Sequence, residues 1–292
     1  MPELPEVELL CRRLDERCAG RTVTRLDLAS ISALKTFDPP LRSLVGCTFN
    51  ACTRRGKYLC MRLDDAGGES PEWLVVHLAR AGWIKWRDKL GTAPVRIGRG
   101  PMVLRVGLEG GAGFDITEMG HERRLAIWTA RTPADIEAVA TLGPEPLDAS
   151  FTEERFAAIL AAEKGDLKHC LSRQSVIAGV GNAYSDEALH AAKLSPFKTA
   201  AKLSPEEVSR LYEGLGSVLR DAISRAEALD MDELKDGKRA GMRVHARTGL
   251  PCPVCGDTVR EVSFATRSLQ YCPTCQTGGR PLADRRLSRL LK

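Results

Sequence analysis

Four cysteines in two close pairs are the residues here whose chemistry is easiest to name. Cys252-Pro253-Val254-Cys255 and Cys272-Pro273-Thr274-Cys275 give the spacing C-x2-C-x16-C-x2-C. Each C-x2-C knuckle can place two thiolates on one ion, and the stretch between them is long enough for a hairpin. The pattern predicts one structural zinc ion, held by Cys252, Cys255, Cys272 and Cys275. A closed four-thiolate site has no open coordination position, so the ion would fold the hairpin and take no part in catalysis. A redox or iron site is the competing reading, disfavoured by the flanking prolines and the full four-sulfur set. The second chemical feature is the N-terminus, Met1-Pro2-Glu3. A small second residue permits removal of the initiator Met, which would expose a secondary amine. An α-amino group has a pKa of ~8 against ~10.4 for Lys, so roughly a tenth of it is uncharged at neutral pH. A free Pro2 would attack an aldehyde-like carbon and form an iminium adduct, with Glu3 beside it as general acid. The plainer alternative is that Pro2 and Pro5 only start a helix.

Two further segments have a local reading that stays open. Gly179-Val180-Gly181-Asn182-Ala183-Tyr184 opens a predicted helix, where glycines and free N–H groups suit a phosphate. The same glycines would equally serve tight helix packing. Arg54-Arg55-Gly56-Lys57-Tyr58 is a basic turn between two strands, suited either to a phosphate chain or to solvent.

These residues need elements to position them. Val7, Leu10, Cys11, Leu14 and Cys18 recur at three- and four-residue steps, predicting a helix over Leu4 to Ala19 that stops at Gly20. From Arg21 to about Arg131 the period shortens to strands, among them Thr22–Leu28, Thr48–Leu63, Trp73–Leu78, Met102–Leu108 and Leu125–Ala130. This predicts an antiparallel sandwich or barrel. Near residue 132 the helical period returns after a linker around Gly143-Pro144-Glu145-Pro146. Ser150 with Glu153 predicts a capping box for a helix over Thr152–Glu163. Short helices follow near Leu167–Arg173 and Ala183–Ala192. Ser204, Pro205 and Glu207 then start a long helix to about Ala228.

Composition sets the outer bounds. The 292 residues suffice for two domains and carry a net charge of +5. That charge is uneven: residues 235–292 hold 12 Lys/Arg and four acids, a net +8, and the rest of the chain sums to −3. A basic terminal region points to a polyanion partner. No apolar run approaches the ~18 residues of a membrane span, and the acidic start does not read as a signal peptide. A cytoplasmic protein is expected, with Cys11, Cys18, Cys47, Cys52, Cys60 and Cys170 as packing residues.

Taken together, these residues resemble the formamidopyrimidine-DNA glycosylase/endonuclease VIII family of base-excision repair enzymes. Pro2-Glu3-Leu4-Pro5-Glu6-Val7-Glu8 looks like the family's N-terminal signature, and Arg55-Gly56-Lys57 like its lysine turn. Gln174 to Glu187 is similar to its helix–two-turns–helix segment. Arg267, five residues before Cys272, matches the arginine of its zinc-finger hairpin. The matches fall in the family's order and span residues 2 to 276.

The resemblance implies an α+β multidomain fold, with an N-terminal helix on an antiparallel β-sandwich and then a helix–two-turns–helix domain with a zinc-finger hairpin. The implied divisions are a catalytic domain over 1–131, a linker over 132–148, a DNA-binding domain over 149–249, a zinc finger over 250–276 and a basic tail over 277–292. It implies a monomer that binds damaged duplex DNA and, through it, the nucleoid. Its activity would be a bifunctional glycosylase and abasic-site lyase, flipping the damaged nucleotide from the stack. Pro2 would attack C1′, Glu3 would protonate the sugar ring oxygen, and Lys57 and Arg267 would hold the flanking phosphates. Asn182, and less directly Lys164 and Lys168, would contact the backbone.

Three departures accompany the resemblance. Arg80 stands where relatives often place a Met that fills the gap left by the flipped base. Leu125 stands where they show Phe and would be a smaller wedge, beside Arg123 facing the orphaned base and Arg124 facing a phosphate. Leu229–Gly249 is shorter than the lesion-covering loop of members specialised for 8-oxoguanine, so tight 8-oxoguanine discrimination is not implied and the substrates stay open between the formamidopyrimidine/8-oxoguanine type and oxidised pyrimidines. A non-catalytic damaged-DNA-binding zinc protein is the alternative that Arg80 and Leu125 suggest.

Overall fold

The computed structural model describes residues 1–65, 72–98, 100–120, 122–264 and 268–283. The chain divides into two compact units. The first comprises Met1–Thr141 and Glu227–Lys235, the second Leu142–Ala226 and the chain from Asp236 onward.

Helix α1 (Leu4–Cys18) opens the first unit, and the stripe predicted to face inward does so: Val7, Leu10, Leu14 and Cys18 are fully buried. Eight antiparallel strands follow: β1 (Val23–Leu28), β2 (Thr48–Arg55), β3 (Tyr58–Asp64), β4 (Glu72–His77), β5 (Gly82–Arg87), β6 (Met102–Leu108), β7 (Gly113–Glu118) and β8 (Ala126–Ala130). They form two four-stranded sheets, ordered β1-β6-β7-β5 and β2-β3-β4-β8. The expected stretch Thr48–Leu63 is thus two strands, broken where Gly56 takes a positive φ of 55°. Such a two-residue hairpin favours Gly because it has no Cβ to clash. Phe49, Leu59, Met61, Leu74 and Phe114 are fully buried with the inner face of α1.

Helix α1 lies on β2 in a fixed register. Glu8 pairs with Arg54, Cys11 Sγ donates to the Thr53 carbonyl at 3.3 Å, and Asp15 Oδ1 accepts from the Cys52 amide at 2.8 Å. As α1 is read from its C-terminus to its N-terminus, its partners on β2 move toward the Gly56-Lys57 turn. A short helix, α2 (Glu137–Ala140), ends the continuous part of this unit. Residues 227–235 return to it: Arg17 pairs with Asp230 at 3.2 Å, and the Trp83 indole donates to the Met231 carbonyl at 2.9 Å.

The second unit is helical, with α3 (Glu153–Ala162), α4 (Leu167–Ser172), α5 (Asn182–Ala191) and α6 (Pro205–Ala226); α7 (Leu234–Ala240) begins in the last two residues of the first unit and continues into the second. The expected Ser150 cap is not used. Thr152 caps α3 instead, its hydroxyl accepting from the Arg155 amide at 3.3 Å, because only Thr152 directly precedes the first turn. The predicted box on α6 forms: Glu207 accepts from the Ser204 amide at 3.0 Å and donates its own amide back to the Ser204 hydroxyl. A β-hairpin of β9 (Arg260–Ser263) and β10 (Ser268–Tyr271) and a short helix α8 (Pro273–Thr277) complete the finger. Val244, Cys252, Val259 and Cys272 form its small core, while Val262, Leu269 and Tyr271 form a second cluster. Leu282 packs on that second cluster and donates its amide to the Tyr271 hydroxyl at 2.7 Å, so the region beyond residue 277 is tied down at least to there. Among the described residues, no helix is long and apolar enough to cross a membrane.

Candidate active site and zinc centre

One end of the first unit collects the candidate residues that this unit contains. Tyr58 is paired with His77, and His77 with Ala126. Lys57, just before β3, Leu78–Ala81, just after β4, and Leu125, just before β8, therefore emerge at the same end of one sheet. In the other sheet Gly82 is paired with Glu118, which brings the start of β5 and the end of β7 to the same turn-and-loop cluster. The register of α1 on β2 points Pro2 and Glu3 toward it as well.

The N-terminus is packed. Pro2 is buried while Met1 is half exposed, and Glu3 is 2% exposed. Glu6 Oε2 accepts from the Glu3 amide at 2.8 Å and closes a capping box on the first turn. Lys57 is 5% exposed despite its place in a turn. Arg54 ties that turn to α1: its Nε donates to Glu8 at 3.0 Å and its Nη1 to the Gly56 carbonyl at 3.0 Å. Local sequence offered Arg54 as a phosphate ligand or a solvated residue, whereas the structure makes it a strut. His77 packs its ring on Tyr58 with centroids 4.8 Å apart. Burial, and then the nearby Lys57 charge, hold its pKa down at about 4, so it is neutral at physiological pH.

The Leu78–Gly82 turn is tight. A side chain at Gly82 would meet the Leu78 carbonyl oxygen at 2.1 Å, and Ala79 sits at φ 51°. Arg80 at its tip is exposed. Arg123 and Arg124 are also exposed; Arg123 donates to the Gly100 carbonyl at 2.8 Å and Arg124 pairs with Glu122 at 3.3 Å. Leu125, expected as a small exposed wedge, is buried instead. It is 2% exposed, because buried Glu118 accepts from the amides of both Arg124 and Leu125 at 2.8 and 2.9 Å and folds the loop inward. The exposed apolar side chain here is Met119, at 66%, with its amide bonded to the Ala81 carbonyl at 3.1 Å. Spacing alone gave no signal for Glu118 or Met119.

In the second unit, Gln174 shapes the glycine loop, accepting from the Gly179 amide at 3.0 Å and donating to the Val180 carbonyl at 2.6 Å. Gly181, not Asn182, is the N-cap of α5, and Asn182 Nδ2 donates to the Ser268 carbonyl at 2.8 Å. Arg267 lies outside the described residues, but its neighbour Ser268 is thereby held to the start of α5. Lys164 is exposed. Lys168 is not a surface residue: it is 8% exposed and donates to Asn182 O, Ser185 Oγ and Asp186 Oδ1 at 2.5, 2.8 and 2.6 Å. Its place in α4, against the first turn of α5, turns its ammonium inward. Asp186 also bonds His245 Nδ1 at 2.8 Å. Glu187 accepts the amides of Arg243, Val244 and His245, and burial raises its pKa.

The four finger cysteines converge. Sγ of Cys252 is 3.9 Å from that of Cys275, and Sγ of Cys255 is 3.4 Å from that of Cys272. Tetrahedral Zn–S bonds of ~2.3 Å imply sulfur–sulfur edges of about 3.8 Å. The set fits a zinc ion bound by Cys252, Cys255, Cys272 and Cys275. His190, which sequence reasoning passed over, adds a nitrogen: its Nε2 lies 3.3 Å from Cys252 Sγ.

The sandwich with its capped N-terminal helix, the helix–two-turns–helix segment and the four-cysteine finger together define a zinc-containing DNA-repair glycosylase. Residues 1–118 match the formamidopyrimidine-DNA glycosylase N-terminal domain, 142–232 its H2TH domain, and 249–278 the zinc finger found in FPG and IleRS. The chain belongs to the formamidopyrimidine-DNA glycosylase family. It is 31% identical to the formamidopyrimidine-DNA glycosylase of Desulforamulus reducens over 94% of this chain and 99% of that one. An uncharacterized formamidopyrimidine-DNA glycosylase-like protein of Mycobacterium tuberculosis is 61% identical over 151 residues, 52% of this chain and 94% of that one. Among solved structures, the MutM (Fpg) protein of Thermus thermophilus superposes with a TM-score of 0.78 at 32% identity, covering 96% of this chain and all of that one. Lactococcus lactis Fpg, in a complex with DNA containing N7-benzyl-Fapy-dG, superposes with a TM-score of 0.81 at 25% identity over 94% of this chain and 100% of that one. The finger holds one structural zinc ion.

Proposed function

We propose that the chain is a bifunctional DNA glycosylase and abasic-site lyase that excises oxidised bases from duplex DNA in base-excision repair. The observation that carries this is the strand and helix register, which turns Pro2-Glu3, the Lys57 turn, the Arg80 turn and the Arg123-Arg124 loop toward one end of the sandwich. With Met1 attached, the Pro2 nitrogen is an amide and no nucleophile. Removal of Met1 leaves a secondary amine on a buried, capped helix start.

In the proposed reaction the Pro2 lone pair forms a bond to C1′ as the glycosidic C–N bond breaks, and the damaged base leaves with that bond's electron pair and takes up the Pro2 N–H proton. Glu3 donates a proton to the ring oxygen, the sugar opens, and Pro2 and C1′ are left as an iminium. That cation acidifies the C2′ proton. Its loss expels the 3′ phosphate by β-elimination, and a second elimination expels the 5′ phosphate; water then hydrolyses the iminium and returns Pro2. Lys57 and Arg267 would hold the departing phosphates, the Arg through its two-pronged fork. Arg80, Arg123, Arg124, Lys164 and Asn182 would bind the strands, and Met119 would take the wedge role that buried Leu125 cannot. The complex of Lactococcus lactis Fpg with DNA containing N7-benzyl-Fapy-dG supports damaged DNA as the substrate, with oxidised pyrimidines admitted by this chain's departures. The finger cysteines hold the zinc, and the metal supplies structure only.

Borohydride trapping on a duplex with one abasic site tests this. The processed chain gives a covalent adduct at Pro2, and Pro2→Gly or a retained Met1 sharply reduces it. Salt-sensitive binding to the abasic duplex with no adduct from processed chain would replace this reading with that of a non-catalytic damaged-DNA-binding protein.

A further inference from the structure

Helix α5 is buried on every side, and its polar residues therefore need partners. Ser185, Asp186, Glu187 and His190 are all at most 3% exposed. Three of them have partners described above within the second unit. His190, in the last turn, has one nitrogen 3.3 Å from Cys252 Sγ, while its other nitrogen, Nδ1, has no partner among the described residues. Cys252 is itself 2% exposed.

A neutral imidazole has one proton to place. On Nδ1 it would leave a buried N–H unpaired and turn the Nε2 lone pair toward a thiolate. On Nε2 it makes a charge-assisted N–H···S bond and leaves only a lone pair bare. A direct bond from Nε2 to the metal is a further geometric possibility, since Nε2 and the sulfurs of Cys252, Cys272 and Cys275 all lie within 4.8 Å of one another. Two facts oppose it. A metal-bound His nearly always donates its second N–H to a partner, and Nδ1 has none here. Cys255 Sγ, 3.4 Å from Cys272 Sγ, also provides the fourth thiolate of a tetrahedral set.

We infer that His190 is a positioning residue of the zinc centre, donating its Nε2–H to the Cys252 thiolate and fastening the first cysteine knuckle to α5. The first residue of the same helix, Asn182, grips the hairpin at Ser268, and Gln276 after the second knuckle donates to the Leu194 carbonyl at 3.0 Å. Helix α5 thus holds the first knuckle and the β9-β10 hairpin, and the segment just after it holds the second knuckle. The N–H bond also draws charge from one of four thiolates that together outweigh the ion by two negative charges. This inference rests on the zinc centre and does not depend on the glycosylase reading.

Full-length zinc protein with His190→Phe and His190→Gln tests it. Phe fills the space without a donor, and Gln restores an N–H at a similar reach. Loss of an outer-shell partner costs roughly 10- to 100-fold in metal affinity, so His190→Phe should yield zinc to a competing chelator with that change, and Gln should recover most of it. In the cobalt-substituted protein, the sulfur-to-metal charge-transfer band should move in His190→Phe and return in His190→Gln, with the four-sulfur ligand-field pattern unchanged throughout. Equal zinc affinity in all three proteins would overturn the inference. So would a three-sulfur, one-nitrogen cobalt spectrum in the unmodified protein, or a Cys255→Ser variant that keeps its zinc through His190. Should His190→Phe not fold, the Gln variant and Cys255→Ser decide the question between them.

Discussion

Arg54 offers the sharpest test of how the candidate site is held. Its side chain is 9% exposed, and its charge-assisted bonds include one to Glu8 of α1 and one to the Gly56 carbonyl of the Lys57 turn, both at 3.0 Å. It is therefore a direct tie between the helix that presents Pro2 and the turn that presents Lys57. Arg54→Met keeps length and apolar packing and removes both bonds. Hydrogen bonds to a charged group contribute about 1.5–3 kcal/mol each, but Glu8 is 25% exposed and keeps its pairing with Arg12, so its carboxylate is not left bare. The total loss of stability should be about 2–4 kcal/mol. A shift of the Lys57 turn by an ångström can cost on the order of 100-fold in rate. Single-turnover cleavage of a lesion duplex separates the two possible roles. At saturating DNA the rate should drop by roughly 10- to 100-fold, while the affinity for an uncleavable abasic analogue should change little. Arg54→Met on a Glu8→Gln background should cost less than on the unmodified chain, since one of the two bonds is already weakened. If Arg54→Met instead weakens DNA binding and leaves the saturated rate unchanged, Arg54 is a phosphate ligand and the strut reasoning is wrong.

Three other perturbations follow from the same structure. His77 titrates at about 4 when folded and near ~6.5 when unfolded, so the unfolded chain takes up the proton first. Stability should therefore fall as pH drops from about 6.5 to 4 and level off below, by at most ~3 kcal/mol; urea midpoints across this window should show a slope that His77→Phe reduces, and an unchanged slope counts against it. Met119→Ala should slow excision from a fully paired duplex by about tenfold, a fraction of the few kcal/mol that unstacking a base step costs, and should slow it less when the lesion is already unstacked in a bulge. Equal slowing on both substrates would remove Met119 from the wedge role. Lys168→Met should lower unfolding free energy by about 3 kcal/mol, because it removes the ammonium paired with buried Asp186 and leaves that carboxylate to His245 alone; a loss of DNA affinity with unchanged denaturation would put Lys168 back on the surface.

Which parts were legible in sequence follows from how local each signal is. The period of α1, the box on α6 and the two cysteine knuckles are set by residues within a few positions of one another, and the structure shows each helix and the sulfur convergence. The cap of α3 failed by two residues because Ser150 with Glu153 fits the box pattern, whereas Thr152, with Arg155 three residues on, fits none and caps through its hydroxyl alone once the backbone path brings it to the first turn. Leu125 was misplaced, and Met119 passed over, for a different reason. A loop's inward side is chosen by its anchor, here Glu118, and an acid six or seven residues upstream has no periodic relation to what it anchors.

Helix α5 shows the limit of pattern reading most clearly. Its sequence, Asn182-Ala183-Tyr184-Ser185-Asp186-Glu187-Ala188-Leu189-His190-Ala191, mixes polar and apolar residues as a surface helix does, yet eight of these ten positions are buried. Burial of so many polar groups is tolerable only if each is paired, and the partners come from Lys168, from the 243–245 backbone, from His245 and from Cys252. These partners lie from 17 to 62 residues away in the chain. The polar face that reads as solvent-facing is thus the face that binds α4 and the zinc finger. Breaking one of these pairs should be felt at the finger rather than at the surface, and for His190 that means in the hold on the metal.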